Sequence, residues 1–151
     1  MKNQVNINDA VDLLKRLIAT PSVSRDEAAA AAVLEAYMQE KGLSPQRSGN
    51  NLWCVSDGFD AEKPTILLNA HIDTVKPVAG WQRDPFTPVV EDGRLYGLGS
   101  NDCGGGLMAL LQAMVCKSSS LAAAGSARPV ASFWLSSSTV AAASSRRTSV
   151  L

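Results

Sequence analysis

The sequence predicts an α/β fold, a mixed sheet flanked by helices, and three observations lead there. Apolar residues recur at helical spacing as far as Lys41. Short strand-like runs replace them from Leu43 onward, and Thr65-Ile66-Leu67-Leu68-Asn69-Ala70 is apolar enough for a central strand buried on both faces. A glycine-rich loop over 97–106 then feeds a third helix, which completes a layered arrangement of helices and strands.

The elements follow in order. Val11, Leu14, Leu17 and Ile18 share one face of a helix over 8–19, which Thr20-Pro21-Ser22 ends because proline cannot continue the hydrogen bonding. A second helix opens on Ser24-Arg25-Asp26-Glu27, which fits a capping box, and closes on Lys41 followed by a C′ glycine, Gly42. Its alanines, with Leu34, Tyr37 and Met38, form a small-residue face suited to packing on a sheet. Strands are expected at 44–47, 51–56 and 65–70, with Asp57-Gly58 and Lys63-Pro64 as breaks. Two more, at 88–91 and 94–96, flank Asp92-Gly93 and read as a hairpin. The third helix covers 107–115, and 129–135 has the character of one further strand.

The chain has 151 residues, enough for one domain with a core and too few for two. Its formal net charge is zero, so nothing electrostatic points to nucleic acid or an acidic membrane surface, and no apolar run is long enough to span a bilayer. The N-terminus lacks the apolar stretch of a signal peptide. Cys54, Cys103 and Cys116 have no zinc-finger or CxxC spacing and read as reduced thiols of a cytoplasmic protein. The zero total hides an asymmetry. All 14 acidic residues lie between Asp9 and Asp102, whereas residues 103–151 hold only Lys117, Arg128, Arg146 and Arg147 as charges. Ordinary usage would place about six acidic residues there. Ser and Ala supply 19 of the 34 residues from Ser118 onward, a low-complexity tail unlike the front.

Two segments carry chemistry. His71 and Asp73 stand at i and i+2 after the apolar strand, so both can face the same way, and a metal-bound imidazole usually gives its other N–H to a carboxylate. The carboxyl ends of strands are also where open α/β sheets bind ligands. Taken alone, the tripeptide is as readily an ordinary polar pair. Asp102 lies in the run from Gly97 to Gly106, where glycines let the backbone approach a ligand; its carboxylate could bridge two cations or cap the helix that follows. No phosphate-cradling spacing is present.

With Trp81-Gln82-Arg83-Asp84-Pro85-Phe86 between them, the runs Leu67 to Val75 and Gly93 to Asp102 resemble a family of zinc metallopeptidases and deacylases. That family includes acetylornithine deacetylase, succinyl-diaminopimelate desuccinylase and glutamate carboxypeptidase. The resemblance covers about 8–115. It implies the N-terminal portion of a zinc-exopeptidase-like three-layer domain, which would make 1–115 the front of a catalytic domain. His71 matches a ligand of one zinc, Asp73 the carboxylate that orients it, and Asp102 the carboxylate bridging two zincs, with a cis peptide to Cys103; cobalt is the expected substitute metal. Cys103 itself reads as a small loop residue, and Trp81, Asp84, Pro85 and Phe86 as structural. His71 to Val75 followed by Lys76-Pro77, with Asn101-Asp102, looks most like the deacylase branch acting on N-acyl amino acids such as acetylornithine, and so like arginine biosynthesis. Succinyl-diaminopimelate or dipeptide hydrolysis is the alternative.

In the family, metal-bound hydroxide attacks the amide carbonyl and a glutamate serves as general base and then acid. That glutamate belongs to a Glu-Glu pair after the next strand. Further ligands, including a second histidine, come later, and an inserted domain makes many members homodimers. Here no acidic residue follows Asp102 and His71 is the one histidine, so the general base, the remaining ligands and the dimerisation domain are all missing. Ser136-Ser137-Ser138-Thr139 stands where the glutamates belong. The expectation is therefore a hydrolase front that is inactive as this chain, with 116–151 frameshifted from around codons 113–118 or otherwise non-native. A non-catalytic binding domain and a site completed by another chain are the other readings.

Overall fold

A computed structural model describes residues 6–57, 59, 60, 62, 65–124 and 130–136, of which 117–124 and 130–136 are described by their backbone. The proposed breaks at Gly58, Lys63 and Pro64 lie outside the described residues, as do 137–151.

The first helix, α1 (Ile7–Ile18), starts where Asn6 Oδ1 accepts the Asp9 N–H at 3.2 Å and places Lys15 and Arg16 in its last turn, where their charge suits the helix dipole. Helix α2 (Ala28–Glu40) ends as expected: Gly42 takes a left-handed φ of 76°, and the Gly42 and Leu43 N–H groups return to Gln39 and Met38 carbonyls. Its start differs from the expectation. No capping box forms; Glu27 is the N-cap residue and makes no side-chain cap hydrogen bond. The Glu27 carboxylate is fully buried, accepting from the Arg25 N–H and from Asn50 Nδ2 at 2.8 Å, while the Ser24 hydroxyl turns to another segment altogether.

Strands β1 (Gln46–Ser48), β2 (Asn51–Val55), β3 (Thr65–His71) and β6 (Val130–Ser136) make a sheet in the order β1-β2-β6-β3. β6 runs antiparallel to β2 and parallel to β3, with His71 opposite Ser136. The strands β4 (Val89–Glu91) and β5 (Arg94–Tyr96) form a separate hairpin. Its turn needs positive φ at both central residues, and Asp92 (50°) and Gly93 (73°) supply it. Helix α3 (Gly106–Ala124) crosses residue 115 without a break.

The core joins the three helices to one face of the sheet: Leu14, Leu34, Met38, Leu111 and Met114 meet Leu52, Cys54, Ala70 and Ile72. The expectation that 65–70 is buried on both faces is not met. Among the described residues β3 pairs with β6 alone and stands at the sheet's edge. Ile66 and Leu67 point to opposite faces and are 57% and 62% exposed, so both faces of the strand's first half are open. An apolar run reports what a strand is suited to pack against, and Ile66 and Leu67 stay more than half exposed.

Candidate metal centre

The parallel pairing with β6 carries β3 to His71, where the chain leaves the sheet and turns back toward α1. A parallel bridge between Val23 and Thr74 stitches the α1–α2 connection to this exit: the Thr74 N–H donates to the Ser22 carbonyl at 2.8 Å and the Ser24 N–H to the Thr74 carbonyl at 3.3 Å. The wide turn Ser100–Gly105 approaches from the other side. Two glycines allow that approach. A Cβ on Gly104 would stand 2.5 Å from the Gly99 carbonyl oxygen and 2.6 Å from Leu14 Cδ1. Gly99, at φ +73°, would bring a Cβ to 2.7 Å from Thr74 Cγ2. Inside the turn Asp102 and Cys103 leave helical geometry, and the peptide bond between them is cis, as the resemblance implied.

These elements bring the proposed residues together. His71 Nε2 lies 3.1 Å from Asp102 Oδ1, so two groups 31 positions apart converge on one small volume. On the other side of the ring, Nδ1 is 3.0 Å from the Asp73 main-chain carbonyl, to which its N–H donates, and 3.6 Å from Asp73 Oδ1. The orienting contact is therefore closer through the Asp73 backbone than through its carboxylate. With Nδ1 as donor, the Nε2 lone pair and the Asp102 carboxylate face each other. A proton on Nε2 or a cation between the two atoms satisfies both. The Asp102 carboxylate turns to His71.

The site is open. The Asp102 side chain is 90% exposed and that of His71 41%, and both line a cavity of about 310 Å³ with Thr74, Gly97 and Ser100. A larger cavity of about 590 Å³ adjoins it over Trp81, Arg83 and Tyr96. There the Arg83 guanidinium stacks 4.7 Å from the Tyr96 ring and pairs with Glu91, so its charge is already matched. His71, Asp73 and Asp102 line the smaller cavity. The segment before the hairpin acts as a brace, as expected: Asp84 accepts from the Phe86 N–H (2.9 Å) and Thr87 Oγ1 (2.8 Å), and the Pro85 carbonyl accepts from the Leu98 N–H (2.7 Å), which ties this turn to the glycine loop. Those hydrogen bonds hold the Asp84 carboxyl below its ordinary range. Cys103 packs against the core as a loop residue.

Does this donor set hold a metal? Among the described residues no group of three or more His, Cys, Asp or Glu is placed to do so. His71 and Asp102 are two ligands, whereas catalytic zinc sites use three protein ligands and structural sites four. A complete dinuclear centre does not fit the described residues.

The arrangement has relatives. Residues 67–127 match the model of peptidase family M20/M25/M40. A succinyl-diaminopimelate desuccinylase of Stenotrophomonas maltophilia (strain K279a) is 39% identical over 109 residues, covering 68% of this chain and 28% of that protein. Another, from Blochmanniella floridana, is 35% identical over 114 residues, covering 71% of this chain and 30% of its own. The front of this chain is therefore similar to the M20 family, over the residues that match. A crystal structure of an M20 family metallo-carboxypeptidase from Sulfolobus solfataricus superposes on 85% of this chain and 30% of its own with a TM-score of 0.67 at 21% identity, which shows the same fold. The chain spans about 30% of the length of the curated relatives it matches. The family match ends at residue 127, beyond the point near 115 where the motifs themselves fade.

Sequence reasoning missed Ser24. Its Oγ donates to Asp73 Oδ2 at 2.5 Å, so the residue expected to cap α2 supports the site instead. Among the described residues no helix is long and apolar enough to cross a membrane.

Proposed function

We propose that this chain carries the front half of the metal site of an M20-type amide hydrolase acting on N-acyl amino acids, and that it does not turn over substrate alone. The observation that carries the reading is the convergence of His71 Nε2 and Asp102 Oδ1 at 3.1 Å, with Nδ1 held by Asp73. Zinc is the metal we assign, with cobalt as its substitute. The relatives are desuccinylases, so the alternative substrate class takes precedence over acetylornithine, and an N-succinyl amino acid becomes the first substrate to try.

The test supplies what the described residues lack. The chain is mixed with the remaining portion of a desuccinylase relative, bearing the glutamate pair and second histidine, in the presence of zinc or cobalt. N-succinyl-diaminopimelate, N-acetylornithine and a dipeptide are then compared. Hydrolysis is expected from the mixture and not from either part, fastest for the succinyl substrate, and lost with His71→Ala or Asp102→Ala. An inactive mixture, or one indifferent to those substitutions, refutes the proposal.

We also propose that the tail is read out of frame. The register sets Ser136 beside His71, where the resemblance calls for acidic residues to follow, and no Asp or Glu occurs after Asp102. Translating all three frames past codon 112 decides it: another frame should give a strand followed by Glu-Glu and a later histidine.

A further inference from the structure

Ser24 lies on the surface in the connection between α1 and α2, 49 positions from the residue its hydroxyl binds. Everything around it fixes that hydroxyl in place. The Val23–Thr74 bridge and the two main-chain hydrogen bonds beside it hold the loop against residues 73–74. Arg25 then takes a φ of 79°, unusual for a residue with a side chain, and the buried Glu27 carboxylate accepts its N–H. Ser24 Oγ is left 2.5 Å from Asp73 Oδ2, within the range of a charge-assisted hydrogen bond. Asp73 is itself 9% exposed, so its carboxylate has little water to turn to.

We infer that Ser24 is a positioning residue for His71, acting through Asp73. The hydroxyl occupies Oδ2 and fixes the carboxylate plane, which leaves Oδ1 at 3.6 Å and the main-chain carbonyl at 3.0 Å to face Nδ1. The Nδ1 N–H then faces the Asp73 main-chain carbonyl and Nε2 faces Asp102. Without the hydroxyl, the carboxylate rotates about its side-chain bonds; the ring keeps the main-chain carbonyl but loses the fixed charge that Oδ1 holds 3.6 Å from Nδ1. The relay rests on this geometry alone; its value for metal binding rests on the hydrolase reading.

His71 is the one histidine of the chain, so any signal from an imidazole is its own. The experiment measures the rate at which diethyl pyrocarbonate acylates His71 in the full metal-free chain, at one pH, with imidazole ¹⁵N shifts recorded alongside. Ser24→Ala should raise the rate about two- to tenfold, the range corresponding to the net worth of one hydrogen bond, and move the ¹⁵N shifts toward those of the unfolded chain. Ser24→Thr, which keeps the hydroxyl, should stay at the parental rate. Val23→Ala, which loosens the same loop without touching the relay, should stay there too. Circular dichroism establishes folding; should Ser24→Ala not fold, the nearly isosteric Ser24→Cys takes its place with the same expectation. An unchanged rate in the folded variant overturns the inference, as does an equal rise in Val23→Ala or Ser24→Thr. No metal or substrate enters the measurement, so its failure is separate from failure of the hydrolase assay.

Discussion

Tyr37→Phe tests whether one buried polar knot ties the three helices together. The Tyr37 hydroxyl, on α2, donates to Asp9 Oδ2 on α1 at 2.7 Å and accepts from Gln112 Nε2 on α3 at 2.6 Å, with Lys41 Nζ 2.9 Å from the same Asp9 oxygen. Tyr37 and Gln112 are 2% and 4% exposed. Removing the oxygen loses a hydrogen bond to a charged group, worth roughly 1.5–3 kcal/mol, and leaves a buried amide N–H unpaired at roughly 1–3 kcal/mol more. Allowing for overlap between these, about 2–4 kcal/mol is expected, which lowers the melting temperature by roughly 6–15 °C in a domain this size. The pH profile should change too. Burial pushes Asp9 up, but the hydrogen bonds from Tyr37 and Lys41 outweigh it and hold the carboxyl below its ordinary value. A depressed carboxyl stabilises the fold above its unfolded pKa, and this contribution fades as pH falls below about 4. Tyr37 is pushed well up, first by burial and then by Asp9, so its contribution is intact below about pH 10 and fades above it. Thermal melts followed by circular dichroism from pH 3 to 11 should show both limbs in the parent and both shallower in Tyr37→Phe. A variant melting within a degree of the parent at neutral pH refutes the argument. Gln112→Leu added to Tyr37→Phe should recover part of the loss, because it removes the orphaned amide.

Zinc titrated calorimetrically into the chain should show no stoichiometric submicromolar site, since two ligands converge where three or four are needed; such a site, abolished by His71→Ala, would refute this. Cys54 is 1% exposed and burial pushes its thiol up to about 11, so iodoacetamide should label it only on unfolding, after the partly exposed Cys103 and Cys116; mass spectrometry of labelled peptides gives the order. Ile66 and Leu67 expose apolar surface on strand β3, so the parent should self-associate and Ile66→Lys with Leu67→Thr should reduce light scattering; a monodisperse parent with a cooperative melt contradicts it. Gly104→Ala should cost about 1–3 kcal/mol by overpacking against Leu14 and the Gly99 carbonyl, read by urea denaturation.

Most of the fold was legible because its elements carry local signals. Helical spacing located α1, Gly42 ended α2, and Asp92-Gly93 set the hairpin, each to within a few residues of the structure. What could not be read is which elements meet. The apolar run over 65–70 has the composition of an interior strand, but composition describes the strand's demand for partners and not their presence. Among the described residues β3 sits at the edge, with Ile66 and Leu67 more than half exposed. The Ser/Ala-rich stretch after 115 shows the converse. Its weak periodicity suggested little structure beyond a strand at 129–135; that strand is present as β6, between β2 and β3, but α3 also continues to Ala124.

At the site, the residues with distinctive chemistry were visible and the one with an ordinary motif was misread. His71, Asp73 and Asp102 announce themselves by type and spacing, and the structure brings them together. Ser24 sits in Ser-x-x-Glu, where its hydroxyl and the Glu27 carboxylate are each expected to satisfy a helix-start N–H. Both side chains found other partners. The capping motif and the motif that builds the site are the same four residues, and only the position of Asp73 in space separates them. A capping hydroxyl gains a neutral N–H, whereas this one meets a carboxylate that is nearly buried and has few alternatives, so the charged acceptor wins. Helix α2 itself begins later, at Ala28 with Glu27 as its N-cap and no side-chain cap. If Ser24→Ala leaves α2 intact while loosening His71, the helix never depended on that serine.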